Sequence, residues 1–519
     1  MTATLDRRRL LTLFGGTVAL AATGPALAQP IFSDDPFSLG VASGEPTADG
    51  FVIWTRLAPR PLEFGSGMPM SPIGVDWQVA TDDGFRNIVA RGTEVARPEL
   101  GHSLHVEVSG LQPATPYWYR FNAGRERSAF GRAKTTPRAG APTARVRLAA
   151  AGCQHYEQGL YTAYRHLSRE EDLDFVFHYG DYIYEGRASG VYRSREGGVT
   201  GNPRRYVGDE CYSLDDYRRR YAQTTSDLDL QNARQAAPWF ASFDDHEVDN
   251  NWAADVEQDD APADAFRLRR AMAFQAWWEN MPVRRSMLPA AGAISAYRRA
   301  RYGDLLDAHV LDTRQYRTDQ PCGDGFRTTC PARTAAEAQM LGSEQERWLD
   351  ASLRQRGARW ALLAQQVMVT ALDRRREQDG DGTLFNLDSW AGYEAPRQRL
   401  LERAARHGST VILTGDEHQN YANEATLPNG RVAAAEFVAT SISSGGDGRE
   451  QRAGTPAFLA RNPQCKFNND RRGYILCDIT PERWRTDFRV VDRVSTPGGE
   501  VSTRTSFAVA PGRPALQAA

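Results

Sequence analysis

Five times between residues 146 and 418 an apolar run the length of a buried strand stops at a compact polar cluster. Val146–Ala151 runs into Gly152-Cys153-Gln154-His155, Phe175–Tyr179 into Gly180-Asp181-Tyr182-Ile183-Tyr184-Glu185, and Trp239–Phe243 into Asp244-Asp245-His246-Glu247. Leu305–Leu311 gives way to Asp312-Thr313-Arg314, and Val411–Thr414 to Gly415-Asp416-Glu417-His418. A sixth run, Trp360–Ala364, is followed by Gln365 and Gln366. Short unbroken apolar runs belong to strands covered on both faces, as where helices layer against a parallel sheet. Helical patterns lie between them over Ala263–Glu279, Ser343–Gln355 and Pro396–His407, the last opening on a proline that a first turn tolerates. The pattern predicts an α/β layered domain over residues 145–510. Ligands gather at the carboxyl ends of strands in such sheets, so the clusters are expected to converge on one site.

Residues 37–136 read differently. Phe51-Val52-Ile53-Trp54, Val75-Asp76-Trp77-Gln78-Val79 and His105-Val106-Glu107-Val108 are short alternating stretches between Gly and Pro turns, which predicts a small all-β sandwich. The stretch Leu111 to Arg120 resembles the tyrosine corner of fibronectin III-like sandwiches. A lid or spacer is its expected role, with polymer binding as the alternative. The Pro137–Pro142 segment, rich in Pro, Gly and Ala, marks the boundary.

The first 28 residues read as an address. Arg7-Arg8-Arg9 precedes an apolar stretch from Leu10 to Ala22, and Ala26-Leu27-Ala28 is a small-x-small cleavage site. The apolar stretch is too short for a transmembrane anchor. The chain is therefore expected to leave through the twin-arginine machinery, already folded and carrying its metal, and to work in the periplasm or outside the cell. Beyond this leader there is no basic run, and the net charge is −2, so nucleic acid and anionic membrane are not expected partners. Of 63 Lys and Arg residues only Lys134 and Lys466 are lysines, and neither sits in a phosphate-binding loop, which excludes P-loop, kinase and Schiff-base chemistry. Among six cysteines, Cys322 and Cys330 flank a Gly-rich loop, Cys465 and Cys477 are near enough to bridge across a hairpin, and Cys153 and Cys211 remain.

Sorted by donor chemistry, the clusters give two pockets. Thiolate, phenolate, carboxylate and imidazole from Cys153, Tyr184, Asp181 and His418 suit a strongly Lewis-acidic transition metal such as iron. Asp245 and Asp416 offer only hard carboxylate oxygens, which suit Ca²⁺, Mg²⁺ or Mn²⁺, and Asp181 has two oxygens with which to bridge. Singly each cluster can be a turn or a helix cap; their joint occurrence on strand ends points to a metal centre.

Gly180-Asp181-x-x-Tyr184 resembles the signature of purple acid phosphatases, and the whole series resembles PhoD-type alkaline phosphatases of the calcineurin-like metallophosphoesterase superfamily. Leu311–Arg317 and Asn386–Tyr393 extend the match. The resemblance implies a β-sheet sandwich flanked by helices. It also implies iron(III) held by Cys153, Asp181, Tyr184 and His418, with one or two Ca²⁺ held by Asp245 and Asp416, and Gln365, Gln366 or Asn250 as further donors. His246 would be the catalytic proton donor, oriented by Asp244 or Glu247. Asp245 stands where the wider superfamily has Asn, and Asp416 where it has the first His of Gly-His-x-His; both changes favour Ca²⁺ over zinc. Arg314 is a candidate phosphate clamp, with a structural ion pair as the alternative.

The implied activity is hydrolysis of phosphate mono- or diesters by metal-activated hydroxide, in an exported monomer that scavenges phosphate. A phospholipase D-like phosphodiesterase acting on lipid head groups is the nearest alternative, with Trp252, Trp277, Trp278 and Trp390 as lipid contacts or as core. A non-catalytic surface protein is the third. The Gly-rich stretch Ser443–Gly448 is expected to be a mobile loop.

Overall fold

A computed structural model describes residues 31–193, 199–259, 261–328, 330–376 and 379–519. The leader, residues 1–28, lies outside the described residues. Among these, the larger strands form sheets of ten, seven and five. In the ten-stranded sheet Val146–Ala151, Phe175–His178 and Trp239–Ala241 run parallel side by side. In the seven-stranded sheet Leu306–Val310, Trp360–Ala364, Thr410–Thr414 and Val432–Val438 do the same. All the apolar runs of the sequence are therefore strands, within a residue or two at their ends.

Those runs are largely apolar because each strand is covered on both faces; Arg147, Asp307 and His309 are the charged or titratable exceptions in Val146–Ala151 and Leu306–Val310. Leu148 and Ala150 point between the two sheets, with Phe175, Phe177 and Phe240, toward Val310, Leu362, Ala364, Val411 and Leu413. Their neighbours Ala149 and Ala151 point the other way, under Tyr164, Phe274 and Trp277 on the outer helices. On the opposite outer face, Leu349, Leu400 and Leu401 cover Ala361, Leu363 and Ile412. The result is two sheets face to face with a helical layer on each side. The expected helices form as Ala263–Asn280, Gly342–Arg354 and Glu394–His407. No helix among the described residues is long and apolar enough to cross a membrane.

The N-terminal region departs from a self-contained sandwich. A sheet of Ile73–Ala80, Ile88–Ala96, Pro116–Ala123 and shorter strands packs on Val41–Gly44, Phe51–Arg56 and Ser103–Val108 through Val75, Val79, Tyr119 and Phe121. The latter three strands, however, are the end of the ten-stranded sheet: Gly44 pairs in parallel with Trp239. The tie of a tyrosine corner is present, the Tyr117 hydroxyl accepting the Gln112 N–H at 2.8 Å. At the other end the sheet continues through Val501–Ala510 to Arg513–Ala518, past the expected limit at residue 510.

Two further expectations are corrected. Cys322 and Cys330 are bridged, but Cys465 and Cys477 are both free, because they belong to different sheets. Trp252, Trp277, Trp278 and Trp390 are buried, as the core reading of them expects. Ser443 and Ser444 are buried, so the stretch Ser443–Gly448 is anchored rather than loose.

Candidate metal centre and active site

The strand ends of both sheets meet at one edge, and there the sequence-derived ligands come together. Cys153, Asp181 and His418 form one group whose ligating atoms lie within 4.8 Å of one another; Asp181, Asp245 and His246 form a second, and Asp244, Asp245 and Asp416 a third. Asp181 belongs to the first two groups and Asp245 to the last two, so the three sites form a row. Tyr184 joins the first: its hydroxyl donates to Asp181 Oδ2 at 2.8 Å and lies 3.1 Å from His418 Nε2.

The turns that carry these ligands are held in a costly conformation. Cys153 (φ 51°), Asp181 (φ 55°), Asp416 (φ 65°) and His418 (φ 54°) all sit in the left-handed region that side chains other than glycine avoid. Such strain collects at functional sites and persists only where the surroundings impose it. Two features impose it here. The Tyr179 ring is wedged between two of the turns so closely that a Cβ at Gly152 would come within 2.4 Å of it and one at Gly415 within 2.1 Å. The buried Glu247 carboxylate accepts three backbone N–H groups, Asp181 at 3.0 Å and Asp244 at 2.8 Å on Oε2 and Tyr182 at 2.6 Å on Oε1. It thereby locks the Asp181 turn to the Asp244-Asp245 turn.

The orientation of His246 is therefore not the work of Glu247, nor of Asp244. Glu185 performs it, with Oε2 2.8 Å from His246 Nδ1 and Oε1 accepting the Asn250 N–H at 2.9 Å. Burial opposes a charged His246, but the carboxylates of Glu185, Asp245 and Asp181 outweigh it and raise the imidazole well above its ordinary range. Burial likewise raises the Cys153 thiol and the Asp416 carboxyl, each reinforced by neighbouring carboxylates. Asp245 is drawn below the usual carboxylate range: burial works against this, and Arg314 and His246 prevail.

Arg314 does not sit as a phosphate clamp would. Its side chain has no exposed surface, its Nε donates to Asp244 Oδ1 at 2.6 Å, and its Nη1 donates to both oxygens of Asp388 at 3.0 Å. The structure thus places it as the counter-charge beneath the acidic row. Gln365 and Gln366 are also committed elsewhere, their oxygens accepting from Trp390 Nε1 at 3.0 Å and from Thr313 Oγ1 at 2.6 Å. The Asn250 side chain donates to Gln258 at 2.5 Å.

The donor set fits cations. Asp181 Oδ1 and Asp244 Oδ2 are buried carboxylate oxygens with no hydrogen-bond partner among the described residues, and Asp245 Oδ1 has only the Arg314 guanidinium at 3.4 Å; such atoms are costly unless something positive meets them. The row is open on one side, where the side chains of His418, His246 and Asp416 are 30%, 20% and 19% exposed against 2% for Asp181. A separate cavity of about 600 Å³, lined by Arg333, Arg375, Arg397 and Arg461, shares no residue with this row, and its arginines face Asp373 and Glu394.

Glu185, Asp388 and Ser444 were not legible as site residues. Glu185 stood in a recognised cluster, Asp388 in the Asn386–Tyr393 match and Ser444 in the Gly-rich stretch, each without a role.

Residues 148–488 match the family model described as PhoD-like phosphatase, and residues 22–137 match that of the PhoD-like phosphatase N-terminal domain. Alkaline phosphatase D of Bacillus subtilis (strain 168) is 43% identical over 520 residues, covering 97% of this chain and 87% of that protein. The solved structure of PhoD superposes with a TM-score of 0.90 at 43% identity, covering 94% of this chain and 93% of the other. A purple acid phosphatase from yellow lupin seeds shares the fold at a TM-score of 0.57 and 13% identity, over 92% of this chain and 74% of that one.

Proposed function

The chain belongs to the PhoD-like phosphatase family and is a phosphoric ester hydrolase, and from that premise we propose that it is an exported enzyme hydrolysing phosphate monoesters, diesters or both at a mixed iron and calcium centre, for phosphate scavenging. The observation that carries this reading is Asp181, shared between the group with Cys153 and His418 and the group with Asp245 and His246, with one buried oxygen unmatched. Cys153, Asp181, Tyr184 and His418 would hold iron(III), and Asp245 and Asp416, with Asp244 beside them, one or two calcium ions. Bound there, the cations would neutralise phosphate oxygens and raise the acidity of water.

The protein's own residues would do the rest. His246 has Nδ1 committed to Glu185, which leaves Nε2 to hand a proton to the departing oxygen. The same carboxylate favours the protonated imidazole that this role needs. Arg314, buried between Asp244 and Asp388, would hold the acidic row in register while it is unloaded. Access is from the side of His246, Asp416 and His418, so an ester would lie with its leaving group toward His246.

Hydrolysis of an aryl phosphate monoester beside the matching diester tests the proposal, with Ca²⁺ supplied and iron content measured. Turnover of the monoester, with or without the diester, supports it. Turnover of the diester alone would move the assignment to a phospholipase-like phosphodiesterase, and failure on both with metal-loaded protein would end it.

A further inference from the structure

Ser444 is where the Gly-rich loop touches the centre. Its Oγ lies 2.6 Å from the Tyr184 hydroxyl oxygen and 2.8 Å from the carbonyl oxygen of Cys153, and it accepts the His155 N–H at 3.1 Å. The side chain therefore contacts the segments carrying two of the candidate ligands. A hydroxyl has a single proton, so Ser444 serves one of the two oxygens at a time. Its position is fixed from several directions: Ser443 Oγ donates to the His155 carbonyl at 2.9 Å, Gly445 N–H donates to Gln158 at 2.7 Å, and Arg472 and Ser441 both donate to the Ser444 carbonyl at 2.8 and 2.6 Å.

This arrangement is more than packing needs. Tyr184 gives its own proton to Asp181, and an oxygen that ligates a cation has released that proton to solvent. The anionic oxygen then requires a donor, and Ser444 stands at hydrogen-bond distance from it.

We propose that Ser444 is a positioning residue for the metal centre: its hydroxyl proton turns from the Cys153 carbonyl to the Tyr184 oxygen when that oxygen holds a cation, securing the ligand and moderating its electron donation. The proposal rests on the reading of Tyr184 as a ligand. Ser444 keeps its proton throughout, and only the direction of one O–H bond changes. Groups that hydrogen-bond to metal ligands typically change metal affinity by about 10- to 100-fold.

The test uses the full chain loaded with iron and calcium. Ser444→Ala should weaken retention of iron against a graded chelator by about 10- to 100-fold. It should also move the tyrosinate-to-iron absorption band to longer wavelength, because a phenolate without a donor gives up its electron more easily. Ser444→Thr keeps the hydroxyl and should restore both. Ser444→Cys, a poorer donor of similar size, should fall between and serves if the alanine variant does not fold. Tyr184→Phe separates the two ideas. If the wild-type chain has no band that Tyr184→Phe removes, the ligand reading fails and the proposal with it. If that band exists and neither it nor iron retention changes in Ser444→Ala or Ser444→Cys, Ser444 has no such role and the ligand reading stands.

Discussion

Replacing Glu247 by glutamine measures how much of the strained site depends on one buried carboxylate. The wild-type side chain receives two backbone N–H groups on one oxygen and one on the other. A carboxamide has one oxygen and one NH₂. If its oxygen takes the doubly bonded position, the Tyr182 N–H, 2.6 Å away in the wild type, faces another donor; turned the other way, the amide faces both Asp181 and Asp244. Burial and the Asp181 carboxylate push the Glu247 carboxyl well above the usual range against the pull of the backbone N–H donors, so no charge is counted: one hydrogen bond is lost and a buried N–H is left unmatched, an expected loss of about 1–3 kcal/mol. Total stabilities are about 5–15 kcal/mol, so the variant should still fold. Equilibrium urea unfolding of chelator-treated protein gives the difference directly, and metal uptake by the refolded variant should be impaired because Asp181 is no longer held at φ 55°. A Glu247→Gln chain within ~0.5 kcal/mol of wild type, the usual spread of neutral substitutions, with unchanged metal uptake would show that the clamp argument is wrong.

The remaining predictions concern chemistry, pH and packing. His246→Ala should cut kcat by roughly 10²- to 10⁴-fold with little change in metal content; normal turnover would remove His246 from the mechanism. Burial holds His105 and His178 down to about 3, from 6.5 when exposed, so both are neutral in the fold and take up protons on unfolding. Stability is then greatest above pH 6.5 and falls toward pH 3 by about 1.4 kcal/mol per pH unit for each histidine. Urea midpoints between pH 7 and 5 should show a shallower decline in His105→Gln, and identical slopes would refute the assignment. Gly415→Ala drives a methyl group to 2.1 Å from the Tyr179 ring. It should destabilise by about 1–3 kcal/mol or more and reduce bound metal, measured by thermal unfolding and elemental analysis.

What was legible in the sequence was what two-sided burial dictates. Val146–Ala151 and Trp360–Ala364 were bounded to the residue because all their side chains but that of Arg147 are buried, and burial on both faces leaves a nearly continuous apolar signature. The candidate ligands could be read as a set because they follow those strands directly. The left-handed turns at Cys153, Asp181, Asp416 and His418 were not legible, since Asp and His, although enriched at positive φ among non-glycine residues, adopt other conformations far more often. The wedge of Tyr179 against Gly152 and Gly415 was hidden for a related reason: it joins residues far apart in the chain. Glu185 was passed over for the adjacent Asp244 and Glu247, because chain proximity was taken for contact. The pairing expected for Cys465 and Cys477 failed on the same ground, the chain passing from one sheet to the other between them.

The junction of Gly44 with Trp239 bears on how the chain is assembled during synthesis. Val41–Gly44, Phe51–Arg56 and Ser103–Val108 can pair with one another as soon as they leave the ribosome, but the far edge of Val41–Gly44 waits for Trp239–Ala241. Until then it is an unpaired strand edge, open to other chains. Once joined, the region cannot be detached or exchanged as a module. Cutting at Pro137–Pro142 and removing what precedes it would strip the sheet next to the strand that delivers Asp244 and Asp245, so the first hundred residues of the described fold are part of the scaffold of the metal centre rather than an appendage to it.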